Sequence, residues 1–333
     1  MKAYRIIRVC VSALLINIVI FIFHGCKKVP NGYLSDIIRY TEYPITVEKG
    51  RTKVSTPLLL EGSSQPLRVK LLHVYDQKTG ALVDDLFMEE YPIKKWVGLY
   101  DPSVDTTLEL IAAKQKDTVM TAITVNERSG QLEANVNTLE LPVGEYLFDL
   151  EISNSTGSRV FEKIGRFDLV DAPFYEIPAV RSTVAMKVGE ESTTKTLPAG
   201  TIAVERINDH ENRIIVEIVD KNGVPFNPAA GEIARRPAGG NTDGWLQTMQ
   251  DYSLGYESFD GRMEFAYGVV PFPLNSLGNG FNYYYRIPTQ YVRFDEDLGI
   301  EDDTYSCNAR FSFRVFIPGT YKITVTVLGV TRR

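Results

Sequence analysis

Apolar and polar residues alternate with a period of two along much of the chain, most clearly over residues 67–75, 146–152, 213–219, 310–316 and 321–327. Successive side chains of a strand point to opposite faces, so this alternation marks strands with one buried face. Turn signals separate the runs: Lys78-Thr-Gly80, Arg128-Ser-Gly130, Asn154-Ser-Thr-Gly157, Lys221-Asn-Gly223 and Pro318-Gly319. Short strands punctuated in this way predict an all-β chain of antiparallel sandwiches or barrels. Helical periodicity is weak. Residues 105–116 are the best candidate for a helical turn, although their Thr-Leu-Glu-Leu-Ile centre suits a strand equally well.

One arrangement occurs twice. Leu141-Pro-Val-Gly-Glu-Tyr146 and Ile317-Pro-Gly-Thr-Tyr321 each set a Pro/Gly turn before a tyrosine and an alternating strand. In immunoglobulin-like sandwiches a late strand often opens like this, with the tyrosine fixing a corner. Two such devices in 333 residues, too long for one ordinary sandwich, predict two tandem β-sandwich domains. The expected division is a leader at 1–25, a tether at 26–40, a first sandwich at 41–172 and a second at 173–333. The boundary is placed at Val170-Asp-Ala-Pro-Phe174, where Pro173 follows a complete strand.

The leader begins with Lys2, Arg5 and Arg8, followed by an apolar stretch over residues 9–23 interrupted by Ser12 and Asn17. A basic start and a short apolar run read as a secretory signal. The run is shorter than the roughly 20 residues a membrane-crossing helix needs. Phe23-His-Gly-Cys26 resembles the lipobox of bacterial lipoproteins, in which the cysteine is acylated and the chain is cut just before it. The resemblance implies a lipid on Cys26 and attachment to a membrane. Cys10 would leave with the signal, so Cys307 has no partner for an intramolecular disulfide, and the core must carry stability alone.

Two further resemblances concern the folded part. Ala122-Ile-Thr-Val, the Ser129-Gly130 turn, Gly144-Glu-Tyr146 and Asn154-Ser-Thr-Gly157 look like the second half of a cadherin-like domain, without its acidic calcium motifs. This implies an immunoglobulin/cadherin-like first sandwich and no bound calcium. The start Cys26-Lys-Lys-Val-Pro-Asn-Gly-Tyr33, with Tyr43-Pro-Ile-Thr-Val47 and the Leu-Pro-Val-Gly-Glu-Tyr strand, resembles a Bacteroidetes outer-membrane lipoprotein family of unknown function. Its genes often lie beside SusC/SusD-type glycan-uptake genes. That implies an accessory role at the outer membrane, with a glycan or a SusC/SusD-type complex as partner. Lys27-Lys28 leaves both the periplasmic and the cell-surface face open.

A net charge of -6 and a pI near 5.3 argue against a nucleic-acid partner. Catalytic signals are weak. Outside the leader the histidines are His73, inside an alternating strand, and His210, in the polar stretch Asn208-Asp-His-Glu-Asn212. Neither lies beside a recognisable nucleophile or a set of zinc ligands, so no cofactor or metal is expected. Glycoside hydrolysis needs two carboxylates at a suitable separation, and 42 acidic residues offer no way to choose a pair. Asp84-Asp85 and Glu89-Glu90 read as solvated turns. The acidic run 295–303 reads as a solvated loop, lacking the alternation of a calcium-binding loop.

Aromatic residues give the constructive hint. Residues 235–244 lack apolar periodicity and read as a long exposed loop, and Trp245, Tyr252 and Tyr256 follow among Gly, Asp, Gln and Ser. Exposed rings beside amides and carboxylates suit sugars, whose C–H faces stack on the ring while hydroxyls hydrogen-bond. These three are the candidate ligand contacts, with simple loop anchoring as the competing role. Trp96 reads as a packing residue. In Asn282-Tyr-Tyr-Tyr-Arg286, Tyr283 and Tyr285 share one strand face and Tyr284 takes the other. The expected function is therefore a non-catalytic envelope lipoprotein, not an enzyme, that binds glycan or a partner protein. A structural spacer and a glycan-processing enzyme are the alternatives.

Overall fold

The computed structural model describes residues 32–178, 182–238, 244–276 and 278–333. The leader, Cys26 and Cys10 lie outside these residues. No helix among the described residues is long and apolar enough to cross a membrane.

The chain is all-β. In the first half the strands are β1 Ile45–Glu48, β2 Lys53–Val54, β3 Arg68–Asp76, β4 Glu90–Trp96, β5 Gln115–Thr121, β6 Ile123–Val125, β7 Leu132–Ala134, β8 Gly144–Asn154 and β9 Gly157–Val170. They form a sheet in the order β1-β9-β8-β3, a small sheet β2-β7-β6, and a separate hairpin β4-β5. β8 turns Tyr146, Phe148, Leu150 and Ile152 into a core closed by Phe87, Leu132, Phe167 and Leu169. Pairing is antiparallel except that β1 runs parallel to β9, from Ile45 opposite Phe167 to Glu48 opposite Val170. The segment 105–116 divides: Thr107 caps a short helix Leu108–Ala112 by accepting from the Leu110 N–H, and β5 begins at Gln115.

The second half contributes β10 Tyr175–Glu176, β11 Ser182–Lys187, β12 Glu190–Thr196, β13 Thr201–Asn208, β14 Arg213–Val219, β15 Ala234–Arg235, β16 Gly255–Phe259, β17 Arg262–Ala266, β18 Asn282–Ile287, β19 Val292–Phe294, β20 Tyr305–Ser312, β21 Arg314–Val315, β22 Thr320–Thr326 and β23 Val330–Arg332. Two five-stranded sheets, β12-β11-β20-β18-β15 and β13-β22-β14-β17-β16, supply a second core. Its large side chains include Tyr283, Tyr285, Phe311, Phe313 and Tyr321. β14 and β22 run parallel, and the other pairs of these two sheets are antiparallel.

Both repeated tyrosines form the corner that their spacing suggests. Tyr146 donates its hydroxyl to the Pro142 carbonyl at 2.9 Å, and Tyr321 donates to that of Ile317 at 2.8 Å. Each bond satisfies a backbone carbonyl that the turn removes from the sheet ladder. At the second corner Gly319 (φ +145) has no space for a side chain, because the Asn208 carbonyl closes on it. The two halves of the chain touch nearby: Ile317 and Leu139 crowd Gly50, the Arg51 guanidinium lies 4.0 Å from the centre of the Phe316 ring, and it donates to the Pro173 carbonyl at 3.1 Å.

Several side chains sit differently from their sequence context. Trp96 is not in a core: it projects from the β4-β5 hairpin, 39% exposed, with its ring 5.8 Å from that of Tyr100. Asp84 is not a free turn residue, since it accepts from the Val74 N–H at 2.8 Å and pairs with His73 Nδ1 at 2.8 Å. In the acidic run, Asp295 pairs with Lys221, Asp302 with Arg333 at 3.2 Å, and Asp303 with Arg333. Cys307 lies within β20, fully buried, and burial pushes its thiol up to about 12, which removes it from nucleophilic chemistry.

Candidate functional site

The segment carrying the candidate aromatics is locked in place. The Leu246 N–H donates to the Arg236 carbonyl at 2.9 Å, and Trp245 bridges to Pro237, so the two arms of the turn pair like a short hairpin. Residues 239–243, the middle of the expected long loop, lie outside the described residues. Gln247 then ties the returning arm to β18. The two hydrogens of its side-chain amide are shared among the Asn282 carbonyl at 2.7 Å, the Gly280 carbonyl at 2.9 Å and the Tyr252 hydroxyl at 3.0 Å. Its backbone carbonyl accepts from the Tyr284 N–H at 3.0 Å.

One turn further on, the Thr248 N–H donates to the Asp251 carboxylate at 2.7 Å, which Arg235 also engages through Nη2 at 2.7 and 2.6 Å. The Met249 N–H donates to the buried Tyr285 hydroxyl at 3.1 Å. A backbone fixed in this way holds a surface side chain in one place and lowers the ordering cost of binding.

From this frame Trp245 extends into solvent, 60% exposed. Tyr252 does not. It is half-buried, its ring meets Tyr283 edge-on with centroids 5.7 Å apart, and its hydroxyl donates to the Gly280 carbonyl at 3.2 Å. Tyr252 is thus a wedge between the segment and the core. Tyr256 lies on β16, the edge strand, opposite Phe265, with ring centroids 5.2 Å apart. It shares the face of a core residue, yet its edge position leaves it 40% exposed. Among the described residues no ring contact joins Trp245 to Tyr252 or Tyr256.

Beside this segment the face of the β12-β11-β20-β18-β15 sheet turned away from the core is polar, with Tyr284, Asn308 and Ser312 buried and Arg286 and Arg310 half-buried. Tyr283 and Tyr285 point into the core, as the alternation requires, and Tyr284 points out with Asn282 and Arg286. The facing residues of β20 are Ser312, Arg310 and Asn308. Local sequence does not connect Arg286 with Arg310, because they lie on separate strands that meet only through sheet pairing. Their common feature is an arginine at an outward position of an alternating strand, which by itself usually marks a solvated face. A separate open cleft of about 360 Å³ lies on the first half, lined by Arg68, Lys70, Glu127, Glu151 and Ser153 among others. Its charges are mixed and it contains none of the candidate aromatics.

No family model matches the chain, and no curated protein matches it in sequence. Among solved structures, it is similar to a SusE-like surface located polysaccharide binding protein from the Bacteroides thetaiotaomicron heparin utilisation locus. That match has 9% identity, covers 87% of this chain and 53% of the other, and has a TM-score of 0.25. An endo-fucoidan hydrolase of glycoside hydrolase family 107 matches at 9% identity over 91% of this chain and 30% of its own, with a TM-score of 0.21. The N-terminal four Ig domains of Dscam1 isoform 9.44 match at 12% identity over 88% and 52%, with a TM-score of 0.21. The chain spans about half the length of the first and third and less of the second. Likenesses this distant carry no argument about ligand or activity.

Proposed function

We propose that the protein is a non-catalytic lipoprotein of the outer membrane, attached through Cys26 and accessory to an uptake system, that binds glycan through its second half. The division into two sandwich domains, 41–172 and 173–333, belongs to this reading, as does the role of Trp245 with Tyr256 at the ligand contact. The carrying observation is Trp245, a large apolar ring held in solvent by a hydrogen-bonded frame. A tryptophan that only anchored its loop would bury its ring. An exposed indole on a fixed backbone offers a flat stacking surface at little entropic cost. Tyr252, by its packing, supports the frame and does not touch ligand in this reading.

The test is a glycan array probed with the full chain and with Trp245→Ala. Binding of at least one glycan that the substitution abolishes supports the reading. Failure of the full chain to bind any glycan across a broad panel removes it.

The alternative, an assembly subunit that binds protein, has its own favouring observation. The β4-β5 hairpin and the turn beyond it expose Trp96, Val97 and Leu99, the last 91% exposed. Contiguous exposed apolar side chains commonly mark protein contact. Loss of a co-purifying envelope complex on Leu99→Asp, with glycan binding intact, would favour this second reading.

A further inference from the structure

Three arginines converge on the outer face of the second-half sheet with one carboxylate among them. Tyr284 of β18 pairs directly with Arg310 of β20, and Arg286 pairs with Asn308 one step along. On the other side, Ala234 pairs with Arg286 and Arg235 with Tyr285. Arg236 therefore continues the row opposite Tyr284, and its guanidinium lies 5.6 Å from the centre of the Tyr284 ring. Directly opposed residues of adjacent strands share a face, with Cβ atoms about 5 Å apart. Arg236, Tyr284 and Arg310 thus form a line across three strands, and Arg286 stands beside it.

Their partners are few. Arg286 donates to Glu191 Oε1 at 3.1 Å and to Asn308 Oδ1 at 3.2 Å. No described carboxylate pairs with Arg236 or Arg310. Arg236 Nε, Arg310 Nε and Arg286 Nη2 are buried and make no hydrogen bond among the described residues. Elsewhere this protein supplies carboxylates generously: Arg332 has Glu232, Arg235 has Asp251, Arg314 has Glu176, and Arg333 has both Asp302 and Asp303.

Like charges brought together and partly desolvated repel, and among the described residues Glu191 alone pairs with any of the three. Burial weakens the hold of Arg236 on its proton relative to a free guanidinium; Tyr284 opposes this, and the neighbouring Arg286 and Arg310 add to it. An anion meeting the half-buried guanidiniums of Arg236, Arg286 and Arg310 would relieve that repulsion. The guanidinium fork suits planar or tetrahedral oxyanions held by paired hydrogen bonds.

We propose that Arg236, Arg286 and Arg310, with Tyr284 between them, form a subsite for the oxyanion of an acidic polysaccharide, either a carboxylate or a sulfate ester. This rests on the glycan-binding reading above and narrows it to a class of ligand. The subsite is continuous with Trp245 through the backbone, since the arm bearing Trp245 hydrogen-bonds to Arg236 itself. A sugar ring on the indole and its acidic substituent on the arginine row would then belong to one chain of ligand.

The test measures affinity of the full chain for dextran sulfate, polygalacturonate and neutral dextran by isothermal titration. At least one polyanion binds, and the Arg236→Gln/Arg310→Gln pair weakens it about tenfold or more, the scale of two lost charge-assisted bonds. The charge-matched pair Lys94→Gln/Lys95→Gln on the distant hairpin leaves it within twofold. Which polyanion responds tells sulfate from carboxylate. Equal weakening by both pairs, or by neither, overturns the subsite. If neither polyanion binds while a neutral glycan binds through Trp245, the subsite falls and the glycan reading stands. If polyanion binding survives Trp245→Ala but not the arginine pair, the subsite stands and the Trp245 contact falls. Should the double variant fail to fold by circular dichroism, Arg310→Lys keeps the charge but loses the fork, and unchanged polyanion affinity in that variant overturns the proposal.

Discussion

The Tyr321 hydroxyl donates to the carbonyl of Ile317, 2.8 Å away, and so closes the turn that opens β22. Tyr146 repeats the bond to Pro142 in the other core. Phenylalanine in place of either tyrosine keeps the ring and strands a carbonyl. Tyr146→Phe and Tyr321→Phe should each cost about 1–2 kcal/mol, with the more buried Tyr321 bond the costlier. The sites share no partner, so the double variant should show the sum within about 0.5 kcal/mol. Urea denaturation followed by circular dichroism measures both effects. A pair of silent substitutions would deny the corners any role in stability.

Glu264 is nearly buried between Arg213 and Arg262. Burial alone would raise its pKa, but the two guanidiniums outweigh it and hold the carboxyl below the usual range. The ionised form is thus favoured by folding. Its contribution is fully present above the unfolded-state pKa, about 4.3, and drains away as pH falls through the lower folded value. Thermal melts between pH 7 and pH 3 should show Glu264→Gln less stable at neutral pH and converging on the parent as the buffer becomes acidic. A gap between the two that stays constant with pH contradicts this account.

Trp245 and Tyr252 are close in sequence and opposite in role. Trp245→Ala should leave stability within about 0.5 kcal/mol, as for surface positions generally, while removing glycan binding. Tyr252→Ala loses an edge-on contact with Tyr283 and the hydroxyl's bonds to Gln247 and Gly280, so it should destabilise by about 2–4 kcal/mol. Melting temperatures and a binding titration on both variants separate the roles. Equal destabilisation by the two would return Trp245 to loop anchoring.

Much of the architecture was legible because alternation reports burial directly. The runs containing Val69, Phe148, Ile214, Phe311 and Ile323 are strands with these residues inside, and the two Pro/Gly-Tyr motifs are corners. The misreadings share a cause. Trp96 looked like core by residue type, but only the fold shows that its hairpin leaves the sheets. Asp84 looked like turn solvent because its partner, His73, lies across a strand connection. Tyr252 looked like Trp245 because both sit in polar sequence, and the difference lies in contacts to β18 that no local pattern encodes. The arginine row was invisible for the same reason, since its members meet only through sheet pairing.

Lipid attachment makes a direct prediction. Cys26→Ala should move the protein from the membrane fraction to the soluble fraction after cell lysis, or leave the uncut leader attached, with a matching gain in mass. Retention in the membrane with a normally processed N-terminus would defeat the lipid assignment.

The parallel pairing of β1 with β9 has a mechanical side. The N-terminal end of β1 leads toward the proposed tether, and the C-terminal end of β9 leads toward the second half. Tension between an anchored N-terminus and a load held by the second half would pull the two strands in opposite directions along their lengths. The ladder from Ile45–Phe167 to Glu48–Val170 would then be loaded in shear, its hydrogen bonds sharing the force instead of opening one at a time. If the protein is anchored and holds a glycan as proposed above, such a joint would resist the drag on its cargo.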